Sequence, residues 1–130
     1  MPHFLVPLLK AGSADGYGLR VRGRDGLLAT KLETAFESRT RRRGLLGRDG
    51  MEAGSALVIA PCSSVHTVFM RFAIDVAFVA RDGRVVKVAA GVAPWRIQIA
   101  LGSFAVVEMA GGSGLGAVQR GDVLELVKNA

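Results

Sequence analysis

The alternation of hydrophobic and polar residues predicts a β-hairpin between residues 74 and 90. Two runs rich in valine flank the dipeptide Asp82-Gly83. Aspartate and glycine tolerate the positive φ angles of a two-residue hairpin turn. We therefore expect antiparallel strands near 74–80 and 84–90.

A second hairpin is predicted between residues 17 and 36. Leu19 and Val21 alternate with three arginines, and the chain turns at Asp25-Gly26 before apolar residues resume. This alternation is typical of strands with one face in water. The three arginines on the predicted solvent face are Arg20, Arg22 and Arg24.

Short apolar runs predict the remaining strands. The run "SALVIAP" is apolar up to its proline, as in a strand buried on both faces. The runs are "SALVIAP" at 55–61, a shorter stretch at 96–100, "FAVVEM" at 104–109 and "DVLELV" at 122–127.

Helical signals are few. Thr34 and Glu37 have the spacing of a capping box, which predicts a short helix from Ala35 to Leu46. The glycine-rich stretch 110–121 indicates a turn with at most one helical turn. Residues 1–16 show no sustained period, so we expect an extended N-terminal arm with at most one short strand there.

These elements predict a mainly β (α+β) fold. The chain shows no strand–helix–strand alternation, which argues against a parallel sheet. We expect residues 17–130 to form a single β-rich domain. Its architecture would be a small antiparallel barrel-like or folded sheet with one or two short flanking helices.

Polar residues interrupt the apolar segment "SVHTVFMRFAIDVAF" at 64–78. On one unbroken strand, Thr67, Arg71 and Asp75 would share a side, opposite a face that is apolar apart from His66. Arg71 and Asp75 would then lie about 13 Å apart at the backbone, because each strand residue rises about 3.3 Å. A site shared by them requires a bend, for which Phe72-Ala73 is the best place.

Composition restricts the class of protein. Half of the 130 residues are hydrophobic, which is enough for one domain with one sizeable core. One cysteine, Cys62, and two histidines exclude a disulfide framework and a four-ligand structural zinc site. The N-terminal apolar run is broken by Pro7 and is too short to span a bilayer. We therefore expect a cytoplasmic protein that does not associate with membranes.

The net charge of +6 favours anionic partners. Basic residues concentrate in the cluster Arg39, Arg41, Arg42 and Arg43. Such a cluster could bind the phosphates of nucleic acid, although runs of charge more often form a solvated helix face.

Five sequence blocks have the order and spacing of a known family. They are "RRRGLLGRDGM" (41–51), "SVHTVFMRFAIDVAFVARDGRVV" (64–86), "PWR" (94–96), "VVEMAGG" (106–112) and "GDVLEL" (121–126). On these blocks, residues 39–127 resemble the bacterial and archaeal domain of unknown function 192 family. The resemblance implies a compact β-rich domain and brings no established activity. Because similar proteins often have proline in place of Ala73, it also implies a bend after Phe72.

The resemblance further implies that four positions tend to be polar, and these are our main site candidates. With one aromatic neighbour, the predicted ligand-binding residues are His66, Thr67, Asp75, Trp95 and Glu108. Alternatives remain open, because backbone carbonyls or amides and nearby arginines could satisfy His66, Asp75 and Glu108 instead. We predict no catalytic residue, no metal ligand and no cofactor.

Two functions are therefore carried forward from the sequence. The first is a non-enzymatic binding domain for a small polar ligand or peptide. The second is weak association with nucleic acid through the arginine cluster. A metal-dependent enzyme using His66, Asp75 and Glu108 is the weakest alternative. Exposed strand edges leave both a monomer and a dimer open.

Overall fold

Short strands dominate the computed structural model, which describes residues 3–128. The strands are β1 (Tyr17–Val21), β2 (Lys31–Ala35), β3 (Ser55–Ile59), β4 (Ser64–His66), β5 (Ile74–Val79), β6 (Val85–Val92), β7 (Ile97–Ile99), β8 (Ala105–Ala110) and β9 (Leu124–Lys128). The helices are α1 (Val6–Ala11), α2 (Ser38–Arg43) and a 3-10 turn, Gly114–Ala117. The predicted mainly β fold with short helices is confirmed.

A five-stranded sheet forms the centre of the fold, with the strand order β2-β3-β8-β5-β6. Strands β2 and β3 are parallel, and the other pairs in this sheet are antiparallel. Two small antiparallel sheets, β1-β9 and β4-β7, complete the architecture. The described residues thus form three sheets rather than one closed cylinder.

Hydrophobic side chains cover both faces of the central sheet. On one face, α1, β1 and β9 contribute to a cluster that includes Leu8, Leu19 and Leu124. On the other face, Leu45 and Met70 pack against Phe78. Every residue of β3 and β5 is buried, because each strand is covered on both sides.

The strongest sequence predictions are confirmed. Strands β5 and β6 form the expected hairpin, and Gly83 in its turn has φ +93°. The predicted strands at 55–61, 96–100, 104–109 and 122–127 correspond to β3, β7, β8 and β9. The segment 64–80 is divided into β4 and β5, as the expected bend after Phe72 requires.

The predicted hairpin at 17–36 is wrong. Strand β1 pairs along its length with β9, and its pairing with the following segment is limited to an isolated bridge from Leu19 to Ala29. Ion pairs favour this arrangement, because Glu125 on β9 accepts hydrogen bonds from Arg20 at 2.7 Å and Arg22 at 3.2 Å. The arginines are exposed, as expected.

The predicted helix at 35–46 begins too early. Strand β2 continues to Ala35, because its parallel pairing with β3 extends to Ala35 opposite Ile59. Helix α2 begins at Ser38, and the capping residues are Glu37 and Thr40 rather than Thr34 and Glu37. The Thr40 hydroxyl accepts from the Glu37 amide and donates to the Glu37 carbonyl, at 3.2 Å and 3.0 Å.

The expected extended arm is also wrong, because residues 6–11 form helix α1. Pro7 is compatible with this helix since it stands in the first turn, where its missing amide has no intrahelical partner. Leu5 and Leu8 are buried in the core. Residues 1 and 2 of the predicted arm lie outside the described residues. Between residues 3 and 128, no helix combines the length and apolarity needed to cross a bilayer.

Candidate functional site

A cavity of about 560 Å³ lies between helix α2, strand β4 and the central sheet. Arg41, Arg42 and Arg43 line the side formed by α2. Glu108 projects into it from β8, while Cys62 and His66 line the side near β4. The cavity therefore combines three guanidinium groups with one buried carboxyl group.

Strand pairing places Glu108 on the face of the sheet that carries this cavity. Glu108 lies opposite Leu57 on β3 and opposite Val76 on β5. Directly opposite residues on paired strands project to the same face. Leu57 and Val76 both belong to the hydrophobic cluster on the α2 side, so Glu108 points into a largely apolar environment beneath α2.

The Glu108 carboxyl group is buried without a protein partner. The residue is only 5 % exposed. Within residues 3–128, no hydrogen bond or ion pair reaches its oxygens. In this part of the chain, every fully buried side-chain nitrogen or oxygen has a hydrogen-bond partner. Because the Glu108 oxygens have no such partner, they are not fully buried and must retain contact with the cavity.

Burial shifts the proton equilibrium of this carboxyl group. Desolvation raises the pKa of Glu108 to about 7, and the charge of Arg48 opposes this increase without cancelling it. The ionised form loses its hydration when it is buried, whereas the neutral form loses little. Near neutral pH, Glu108 therefore exists in both protonation states and can donate or accept a hydrogen bond.

The charge of Arg48 lowers the pKa of Glu108, but Arg48 is bound to another acid. Its two terminal nitrogens donate to the two Glu33 carboxylate oxygens at 2.8 Å and 3.2 Å. This hydrogen bonding lowers the pKa of Glu33 and raises that of Arg48. Arg48 forms no hydrogen bond with Glu108, so it acts on that carboxyl group only through its charge.

The arginine side chains of α2 differ in whether a protein group holds them in place. Arg41 donates to the Phe36 carbonyl at 2.8 Å, which fixes its guanidinium group against the start of the helix. Arg42 and Arg43 are exposed, and neither guanidinium group forms a hydrogen bond or ion pair with another described residue. Both side chains are therefore available to an anion that enters the cavity.

The side of the cavity near β4 has little nucleophilic character. The Cys62 thiol donates to the Ser64 carbonyl at 3.1 Å. Burial raises the pKa of this thiol and so disfavours the reactive thiolate. His66 is exposed at the end of β4, where it can contact a ligand at the cavity edge.

Thr67 belongs to the turn beside the cavity, where it has a structural role. It is 1 % exposed. Its hydroxyl donates to the Ala93 carbonyl at 2.7 Å and accepts from the Arg96 amide at 2.8 Å. These bonds tie the end of β4 to the turn before β7 and leave the hydroxyl without a donor for a ligand.

Asp75 projects to the opposite face of the sheet from Glu108. It lies opposite Met109, one residue along β8 from Glu108, and side chains alternate between faces along a strand. Its two oxygens accept from the Gly91 amide at 2.8 Å and the Ser113 hydroxyl at 2.9 Å. The prediction that Asp75 shares one site with His66 and Glu108 is therefore wrong.

Trp95 also lies away from the cavity lining. Its side chain is 59 % exposed and its ring contacts Phe69 edge to face, with centroids 4.8 Å apart. Of the five predicted ligand residues, the structure brings together His66 and Glu108. No group of three His, Cys, Asp or Glu residues among positions 3–128 could hold a metal ion, so a metal centre built from His66, Asp75 and Glu108 lacks its geometry.

Comparisons with known proteins identify the family. The model of the domain of unknown function 192 (DUF192) family, described as "Uncharacterized ACR", matches residues 19–126. The chain belongs to the DUF192 family. No curated protein matches this DUF192 chain.

Two solved structures are similar to this DUF192 protein. A protein of unknown function from Novosphingobium aromaticivorans is 26 % identical, with a TM-score of 0.71 and 83 % of each chain covered. A "putative transcription regulator" from Sinorhizobium meliloti is 21 % identical, with a TM-score of 0.72. That comparison covers 84 % of this chain and 92 % of the other, and at this identity it shows the fold alone.

The assembly of this DUF192 cavity was not predicted from the sequence. Glu108 and His66 were assigned to a ligand site and the arginines to a separate nucleic-acid surface. These residues line one cavity because α2 lies over the sheet, and no pattern in the sequence indicates that position. Arg48 was missed as well, although a lone arginine in the turn "GRDG" after the helix is a suitable partner for a carboxylate on a neighbouring strand.

Proposed function

We propose that this protein is a non-enzymatic binding domain whose ligand occupies the cavity beneath α2. The ligand is a small polar molecule, or the end of a peptide, that carries an anionic group. One observation carries the proposal: Glu108 is buried, lacks a protein partner and faces a cavity lined by arginines. A buried polar group normally has a partner, so an unpartnered one at a cavity suggests that a ligand provides it.

The two ends of the cavity favour complementary parts of one ligand. Arg42 and Arg43 offer planar guanidinium groups, which bind carboxylate or phosphate oxygens in pairs. Glu108 can hydrogen-bond a hydroxyl, amine or amide group deeper in the cavity. The volume of about 560 Å³ falls within the range of about 300–1,000 Å³ typical of small-molecule sites.

A binding role also agrees with the surroundings of the site. The Cys62 thiol is held by a backbone carbonyl and its pKa is raised, so it is poorly suited to nucleophilic attack. As part of the proposal we retain a cytoplasmic location, since a single free cysteine is compatible with a reducing compartment.

A thermal-shift screen tests the proposal. The panel contains inorganic phosphate, short carboxylic acids, amino acids, nucleotides, sugar phosphates and short peptides. We expect at least one class to raise the melting temperature, because a ligand that binds only the folded state stabilises it. The increase should shrink in Glu108→Gln, His66→Ala and the double variant Arg42→Ala/Arg43→Ala.

Arg120→Ala is the matched control, because it removes an exposed arginine that does not line the cavity. Its ligand-induced increase should equal that of the unmodified protein. A panel without any stabilising compound would contradict the proposal. An increase of the same size in every cavity variant would show that the ligand binds elsewhere.

Nucleic acid is the second candidate ligand. It is favoured by the exposure of Arg39, Arg42 and Arg43, which form no ion pair with another described residue. The "putative transcription regulator" is similar in fold. Fluorescence anisotropy with labelled oligonucleotides should show affinity that falls steeply with salt, and replacing the three arginines by alanine should reduce that slope. Absence of binding at low salt would exclude this candidate.

A further inference from the structure

Five large apolar side chains are exposed on one part of the surface, around strands β4 and β7. We call residues 61–74 and 91–104, which contain these strands and their adjoining turns, the ribbon. The exposed fractions are 71 % for Phe69, 59 % for Trp95, 66 % for Ile97, 58 % for Ile99 and 94 % for Leu101. Such a concentration of exposed apolar residues marks an interaction surface.

The backbone of the ribbon holds the two aromatic rings outward. Phe69 and Trp95 are the described non-glycine residues with positive φ, at 64° and 67°. Bulky side chains rarely adopt this conformation, and it persists only where the surrounding structure enforces it. Here the Thr67 carbonyl accepts from the amides of Met70 and Trp95, both at 3.0 Å, and so fixes both turns.

The aliphatic residues of the ribbon continue this surface along β7. Ile97 and Ile99 alternate with the half-buried Gln98, so both project from the outer face of the strand. Leu101 follows in the next turn and is almost fully exposed. The apolar surface thus contains three aliphatic and two aromatic side chains.

The charge around this surface is positive on balance: the exposed Asp49 pairs with Arg71 at 2.8 Å, whereas Arg96 and Lys87 form no ion pair with a described residue. Residues 61–74 and 91–104 contain no aspartate or glutamate, whereas they include Arg71 and Arg96. Lys87 on β6 approaches the same strand, where its ammonium group donates to the Ile99 carbonyl at 2.9 Å. The partner that complements this surface is therefore apolar and anionic.

We propose that the ribbon docks on the surface of an anionic lipid bilayer and inserts its apolar side chains among the lipids. Exposed aromatic and aliphatic residues beside lysine and arginine are the combination that binds such interfaces. A second copy of the chain fits less well, because two acid-free ribbons would bring like charges together. Nucleic acid also fits less well, because bases stack on rings and not on Ile97, Ile99 or Leu101.

This proposal replaces the expectation of no membrane association. That expectation rested on the absence of a segment long enough to span a bilayer, which docking does not require. The apolar residues of the ribbon are also not distinguishable from core residues by sequence alone. The proposal is independent of the ligand proposed for the cavity beneath α2.

The fluorescence of Trp95 tests the proposal directly, because it is the single tryptophan of the chain. Vesicles of phosphatidylglycerol and phosphatidylcholine should shift its emission to shorter wavelength, and the protein should sediment with them. Vesicles of phosphatidylcholine alone should bind more weakly. Added salt should weaken binding to the anionic vesicles.

Substitutions at exposed positions separate docking from folding. Ile97→Ser and Leu101→Ser should each weaken vesicle binding by about tenfold or more, because each removes an apolar group that would be buried among lipids. Leu27→Ser is the matched control, since Leu27 is 37 % exposed in the segment between β1 and β2, outside the ribbon. It should bind as the unmodified protein does.

Three results would overturn the proposal. The first is the absence of both an emission shift and sedimentation with anionic vesicles at low salt. The second is unchanged binding in the Ile97→Ser and Leu101→Ser variants. The third is an emission that does not respond to vesicles but shifts with protein concentration in the absence of lipid, or with added oligonucleotide. A second copy of the chain or a nucleic acid, rather than a bilayer, would then cover the ribbon.

Discussion

Replacing Glu108 with glutamine should make the protein more stable at neutral and alkaline pH. The change keeps the shape of the side chain and removes its charge. In the folded protein the pKa of Glu108 is raised from 4.5 to about 7. The folded state therefore binds the proton more tightly than the unfolded state, and stability falls as pH rises from about 4.5 to about 7.

The size of this loss follows from the two pKa values. Each pKa unit corresponds to about 1.4 kcal/mol, so the difference between 4.5 and about 7 is worth about 3 kcal/mol above the upper value. Solvent screens this carboxyl group little, because the residue is only 5 % exposed. Below pH 4.5 both states are protonated and the effect disappears.

Urea unfolding between pH 4 and 9 measures this effect. The free energy of unfolding of the unmodified protein should decrease through the window, while Glu108→Gln should lack this component. The two proteins should then differ by about 3 kcal/mol at the alkaline end. Glu52→Gln makes the same chemical change at an exposed residue outside the cavity and should leave the curve unaltered.

Parallel curves for the unmodified protein and Glu108→Gln would refute the reasoning. Glu108 would then be as well solvated as in the unfolded chain, and its role as a buried, unpartnered acid would be lost. A Glu108→Gln variant that is less stable than the unmodified protein at alkaline pH would also refute it, because that sign would indicate a carboxylate stabilised by folding.

Three further predictions concern residues around the site. Thr67→Val should lower the free energy of unfolding by about 1–3 kcal/mol in urea titrations, because the Ala93 carbonyl and a backbone amide lose their partner; a value near zero would contradict this role. Asp75→Ala should lower the free energy of unfolding by a similar amount in the same titrations, because it leaves the Gly91 amide unpaired. A variant as stable as the unmodified protein would indicate that water replaces the carboxylate. Gly83→Ala should lower the melting temperature by several degrees in calorimetry, because the new methyl group would lie 2.5 Å from the Leu124 carbonyl oxygen and residue 83 has a φ of +93°. An unchanged melting temperature would show that the turn adapts.

Local signals predicted the parts of the fold that depend on local chemistry. Asp82-Gly83 defined the β5–β6 hairpin because the turn requires residues that accept positive φ. The continuous apolar run at 55–59 defined β3 because that strand is covered on both faces. In both cases the residues that determine the structure lie within the segment that adopts it.

Long-range pairing was not predictable in this way. Alternation identified β1 as a strand but did not identify its partner, which lies more than 100 residues later in β9. The parallel pairing of β2 with β3 was missed for the same reason. Helix α1 was missed because its apolar residues follow no clear period, and tertiary packing of Leu5 and Leu8 stabilises it.

The candidate site shows the same division between local and long-range information. Sequence identified Glu108 and Asp75 as acids within apolar strands, which is unusual and informative. It could not determine the register between β5 and β8, in which Asp75 lies opposite Met109 rather than Glu108. A shift of one residue reverses the face of every side chain, and this single-residue difference separates the two acids.

The pairing of β1 with β9 has a consequence for synthesis of the chain. Residues 17–21 leave the ribosome early, but their hydrogen-bonding partners at 124–128 emerge only when nearly all of the described chain has been made. Until then the edge of β1 has no native strand beside it and is open to wrong partners. Completion of the fold must therefore wait until residues 124–128 have emerged, and nascent chains stalled before residue 124 should depend on chaperones more than chains that extend beyond this strand.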